Sequence, residues 1–188
     1  MKAGAIILVV LILIVLIFGG GLISSRNTLV TQRNQIDAKW AQVDNDMKRR
    51  ADLIPNLVET VRGYAKQEQT VIAEVANARA ALLGARSRQD EITANTQLSG
   101  AIGRLLVLQE NYPQLKSNEN FLRLQDELAG TENRIAVSRR DYNEAIRQFN
   151  TTVEVFPSNI AASIFGFRRD DAYFKTTEQE RKVPQVKF

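Results

Sequence analysis

Residues 3–23 read AGAIILVVLILIVLIFGGGLI, without one charged or strongly polar side chain. At about 1.5 Å per helical residue such a stretch reaches roughly 31 Å, close to the ~30 Å hydrocarbon core of a bilayer. A core helix of that length in a water-soluble protein would carry a polar stripe, and none is present. A cleaved signal peptide has a shorter apolar region, about 7–15 residues, closed by a small-x-small site. Gly19-Gly20-Gly21 and Ser24-Ser25 match such a site only weakly, and the absence of Cys excludes lipoprotein processing. The stretch predicts a retained single-pass transmembrane anchor in contact with membrane lipid.

About 160 residues follow the anchor, enough for one domain with its own core. Only four Pro and ten Gly occur in the whole chain, which favours long, uninterrupted helices. The chain has neither Cys nor His. That removes Cys nucleophiles, Ser-His-Asp triads and every His- or Cys-based zinc, haem or iron–sulfur site. Twenty-five basic against 21 acidic residues give a net charge of +4. Such a mixed surface predicts no nucleic-acid partner.

Beyond the anchor, Leu29, Ile36, Val43, Arg50, Leu57, Tyr64, Val71 and Ala78 recur every seven residues. A companion row follows four residues behind: Arg33, Trp40, Met47, Ile54, Val61, Glu68, Val75 and Leu82. Two mostly apolar rows on one face mark an amphipathic helix that packs in a bundle. The phase passes through Pro55 without slipping, which predicts one helix over about 26–83, kinked at Pro55. Proline lacks the N–H that would bond to the carbonyl of Ala51, leaving that carbonyl free. Gly84 suits a C-terminal cap, and Ser87 with Asp90 resembles a capping box. A second helix is expected over about 91–112, stopped by Pro113, with Ser117 or Asn118 starting a third over 118–156. That third helix carries Phe121, Leu128, Ile135, Tyr142, Phe149 and Phe156 at strict seven-residue spacing, interleaved with mostly small residues. Large side chains alternating with small ones suit close helix packing, and the sustained repeat predicts a coiled-coil-like, left-handed supercoil.

Pro157 closes the bundle pattern at 26–156. Residues 157–174 are apolar at first, with Ile160, Ile164, Phe165 and Phe167 followed by Arg168 and Arg169. Two readings stand side by side: a short helix folded onto the bundle, or an interfacial segment touching lipid or a neighbouring copy. Residues 175–188 form a polar tail.

The block from Arg33 to Glu68 (RNQIDAKWAQVDNDMKRRADLIPNLVETVRGYAKQE), the block from Gln97 to Asn150, and FPSNIAASIFGF at Phe156 to Phe167 together resemble the LemA family of bacterial membrane-anchored helical proteins. The resemblance implies an all-α fold in which an N-terminal transmembrane helix precedes an antiparallel helical bundle. It further implies a non-enzymatic protein of the bacterial inner membrane, since members are not established enzymes. One branch of the family is associated with building organelle membranes. By analogy the bundle is expected on the periplasmic side, whereas the cations after the span favour the cytoplasm.

Among the charged residues, Lys48, Arg49 and Arg50 point about 100° apart on a helix, so they form no single patch. They suit a solvated face with local ion pairs. The alternative is that Arg50, on the core-facing row, is buried, and a buried charge must be paired. Glu68 on the companion row and Glu132 on the third helix are its candidate partners, in a pair that would fix register between helices. Trp40 belongs to the core. Gly100-Ala101-Ile102-Gly103 has the G-x-x-G form of an RNA-binding loop but lies in a helical pattern without basic surroundings. The chain lacks the Glu-x-x-His of di-metal bundles, so no cofactor or metal is expected. The leading expectation is a scaffold that self-associates as a homo-oligomer at the membrane. The alternative is an adaptor that tethers a partner protein.

Overall fold

A computed structural model describes residues 2–175 of the protein. Helices α1 (Lys2–Tyr64), α2 (Gln69–Leu83), α3 (Arg88–Val107), α4 (Pro113–Lys116), α5 (Glu119–Glu154) and α6 (Ser158–Ile164) follow in order, with a 3-10 turn at Leu108–Glu110. No strand occurs among the described residues. The polar tail expected at 175–188 lies, Lys175 apart, outside them.

The described residues form two compact units, one of 2–40 with Asp141–Tyr173, the other of Ala41–Arg140 with 174–175. In the second unit α1, α2, α3 and α5 pack about an apolar interior that includes Val43, Leu57, Leu98, Leu105, Phe121 and Ile135. Tyr64 at the end of α1 meets Asn118 at the start of α5, Nδ2 donating to Oη over 3.0 Å. Arg104 of α3 pairs with Glu74 of α2 at 2.9 Å. In the first unit α5 again runs against α1: Lys39 pairs with Asp141 at 3.3 Å, and the rings of Trp40 and Tyr142 lie 5.0 Å apart.

The single helix expected over 26–83 is two helices. α1 continues through Pro55 to Tyr64; the chain then turns at 65–68 and α2 begins. The turn is held by Ala65 N–H donating to Val61 O (2.8 Å) and Glu68 N–H donating to Ala65 O (3.1 Å). The physical reason is burial. α5 begins opposite Tyr64, so a continuing α1 would carry Ile72, Val75 and Leu82 past its partner into water. Reversal buries all three. Apolar burial of that size outweighs the few hydrogen bonds that a turn disturbs.

Helix 91–112 also differs. α3 starts earlier, at Arg88, and gives way to the 3-10 turn after Val107; Pro113 stops nothing but occupies the first turn of α4. There its missing N–H has no cost, because first-turn donors have no helical partner. The caps are local and match their residues. Ser87 Oγ accepts from Asp90 N at 3.1 Å, and Asn118 Oδ1 accepts from Phe121 N at 2.9 Å. Replacing Asn118 by Ala should cost about 1 kcal/mol, the usual cost of a lost N-cap, read as a lower midpoint in urea unfolding.

The third helix ends at Glu154, two residues short of its expected limit. The residue before a proline is steered away from helical geometry, so Phe156 cannot extend α5 towards Pro157. α6 ends at a glycine that is conformationally required: Gly166 has φ +73°. Phe167 N–H then donates back to Ala162 O at 2.9 Å, closing the helix in a Schellman-like turn.

Candidate functional site

Arg50 is the largest fully buried side chain of the second unit, only 2% exposed. Its place on the apolar row of α1 forces it inwards, and two other helices supply its partners. From α3, Ser99 Oγ accepts from Nη1 at 2.9 Å, and Asn95 offers its backbone carbonyl at 3.3 Å and its side-chain Oδ1. From α5, Glu132 accepts from Nη1 as counter-ion. Glu132 itself is 47% exposed, so the pair is buried at its cationic end and hydrated at its anionic end. Burial pulls the guanidinium below its ordinary pKa, and the Glu132 carboxylate opposes that shift. Nε has no partner among the described residues. Beside the network opens a cavity of about 300 Å³ walled chiefly by Ile102, Leu106, Leu128 and Ala129. At its edge Arg50, Ser99 and Glu132 are engaged with one another, an arrangement that locks the register of α1, α3 and α5.

Of the two carboxylates named for Arg50, the structure brings only Glu132 to it. Glu68 stands at the turn between α1 and α2 and accepts from Tyr112 Oη at 3.0 Å. That bond raises the Tyr112 pKa. Lys48 pairs with Asp44 on the solvent side at 2.6 Å.

At Pro55 the helix runs on, and the carbonyl its ring leaves without a donor is met from outside. Arg79 of α2 donates from Nε to Ala51 O at 2.8 Å. Ala51 is fully buried, so without this donor a buried carbonyl would be left unsatisfied. Removing Arg79 by substitution to Ala should therefore cost about 1–2 kcal/mol. In a Pro55→Ala background, where residue 55 regains its N–H, the same substitution should cost much less. A double-mutant cycle by chemical unfolding reads that difference, and equal costs in both backgrounds would refute the capping role.

The five rungs Phe121, Leu128, Ile135, Tyr142 and Phe149 of the α5 ladder are buried. Phe156, expected as the sixth, is 73% exposed and lies in the turn beyond the helix. Phe167 is half-buried, its ring edge-on to Phe149 at 6.4 Å. Phe165 lies under the guanidinium of Arg26, 5.6 Å from ring centroid to Cζ. Ile160 and Ile164 are exposed.

One device had no clear signal in the sequence. Asn150, almost fully buried, donates to Asp170 O (2.8 Å) and Tyr173 Oη (3.0 Å) and accepts from Asp170 N (2.9 Å). It ties the chain beyond α6 back to α5.

Several known proteins are similar to this chain. Magnetosome proteins MamQ 1 and MamQ 2 of Paramagnetospirillum magneticum are each 27% identical over 180 residues, covering 82% of this chain. The chain spans 66% of the length of each. Protein LemA of Metamycoplasma hominis is 23% identical over 160 residues, 85% of this chain and 73% of that protein. The LemA family profile matches residues 39–188. That range takes in the Arg50 network, the Pro55 turn of α1 and the α5 ladder, and the chain belongs to the LemA family.

Proposed function

We propose that this chain is a non-enzymatic scaffold, anchored by residues 3–23 in the inner membrane of a bacterial cell, whose copies self-associate by helix packing into a larger assembly. One observation carries the reading: the apolar stretch and the first bundle residues share a single uninterrupted helix. Every apolar side chain from Ile6 to Phe18 is exposed, and full burial begins at Leu29 of the same helix. A bundle mounted without a flexible linker transmits its orientation to the membrane, which suits assembly more than loose tethering. Buried Arg50 and Asn95 of the second unit are engaged in holding helices in register. Relatives named for the magnetosome support a role in organising a membrane-bound structure.

The test is co-isolation. Two copies carrying different affinity tags, expressed together and extracted in mild detergent, should purify with one another. Recovery of each tag without the other would reject self-association and favour the adaptor that tethers a separate protein.

A further inference from the structure

We propose that α6 and the Phe156 turn form a second membrane contact, lying on the bilayer surface beside the anchor. The inference rests on residues 3–23 spanning the bilayer.

Three observations within the first unit place this segment at the membrane level. First, α5 runs against α1 from the Lys39–Asp141 and Trp40–Tyr142 contacts. From Tyr142 to Glu154 it advances about 18 Å, while α1 needs about 21 Å from Trp40 back to Arg26. α5 therefore ends close to the level at which α1 leaves the apolar stretch. Second, the segment that follows makes its contact there: Phe165 sits under Arg26, three residues beyond Ile23. Third, cover on α1 begins inside the apolar stretch. Leu22 and Ser25 are half-buried on the face that leads to buried Leu29, whereas Ile23 is exposed.

The exposed face of α6 has the composition such a position requires. Ala161 and Ala162 are buried, turning Ile160 and Ile164 outwards on the opposite side, and Phe156 is exposed in the turn before the helix. Ile164 is 61% exposed. Two large apolar side chains on one face of a seven-residue helix, with a third exposed in the turn before it, are costly in water and favourable at the headgroup–acyl boundary. Arg26 and Arg168 flank them, as cations flank interfacial segments facing anionic headgroups. A bilayer already fixed by the anchor reaches this face without any further partner having to be recruited.

The natural chain contains no Cys, so single cysteines report one place each. Ile164→Cys, Leu13→Cys and Asn34→Cys would be made in the full chain, labelled with an environment-sensitive fluorophore, and reconstituted in phosphatidylethanolamine–phosphatidylglycerol nanodiscs. Each would be quenched by aqueous iodide and by lipids carrying a nitroxide near the headgroup or at mid-chain. The label at 164 should be quenched severalfold more by headgroup-proximal nitroxide than the label at 34, and severalfold less by iodide. The label at 13 should respond to mid-chain nitroxide, which reports the anchor separately. Iodide quenching at 164 equal to that at 34, with the label at 13 still in lipid, would overturn the surface contact and leave the anchor intact. Shielding from iodide at 164 without nitroxide quenching would overturn it too, in favour of cover by another copy. A label at 13 open to iodide would remove both.

Discussion

Replacing Arg50 with Ala is expected to lower the unfolding free energy by about 3–5 kcal/mol. The substitution empties the space of the largest fully buried side chain in the second unit. It also strips Asn95 and Ser99 of a charged donor. Arg50→Met, which keeps most of the volume, should cost less than half as much, because replacing buried charge with apolar bulk is often well tolerated. Glu132→Ala should fall between them, at about 2–3 kcal/mol. It leaves a buried guanidinium without its counter-ion, but the site of Glu132 is open enough for water to replace part of the loss. Chemical unfolding of the full chain in detergent, followed by helical circular dichroism, gives the three values. A cost below about 1 kcal/mol for Arg50→Ala would contradict the buried placement, since only surface substitutions are so mild.

Phe149→Ala and Phe156→Ala should differ sharply although the two residues occupy successive rungs of one seven-residue repeat. Phe149 is 2% exposed, with the ring of Phe167 against its edge. Truncating it removes a large buried ring and leaves a cavity, at a cost of about 3–5 kcal/mol. Phe156 lies in the turn before Pro157 and is open to solvent, so its truncation should change folding stability by less than about 0.5 kcal/mol. Its expected effect is on membrane contact instead. The same unfolding measurement compares the pair, and equal costs would mean that the ladder continues to Phe156 as its spacing suggests.

That contrast shows how far periodicity reaches. Spacing identified which residues of α5 face inwards as long as the helix lasted. It could not see that Pro157 denies Phe156 a helical backbone. The anchor was legible because a continuous apolar run needs no tertiary context. The cap at Ser87 was legible, and the next was narrowed to Ser117 or Asn118, because a cap satisfies a donor only three residues away. Arg50 stood out as an interruption in an apolar row, but its neighbours Lys48 and Arg49 suited a solvated face, and only the packing of α3 and α5 over it buries it. The sequence left Glu68 and Glu132 both open. The choice depended on the turn at 65–68, which puts Glu68 beside Tyr112 instead.

That turn is the feature the sequence concealed most completely. Val61, Glu68, Val75 and Leu82 hold seven-residue spacing straight across it, so the pattern reads as one helix. No Pro, Asn, Asp or Ser marks residues 65–68, and Gly63 alone weakens the helix before them. What breaks the helix is the length of its partner α5, a property of another part of the chain. The cap at Ala51 was hidden by the same fact. Pro55 made the free carbonyl predictable, but its donor, Arg79, comes near only once α2 has folded back along α1.

Whether the anchored chain assembles with its own copies is decided by its mass. The full-length protein would be measured in nanodiscs by light scattering with lipid mass subtracted, beside a chain beginning at Arg26 in aqueous buffer. Self-association at the membrane requires a discrete multiple of the 21.1 kDa chain for the full-length protein and a smaller species without the anchor. A monodisperse monomer in both would contradict it.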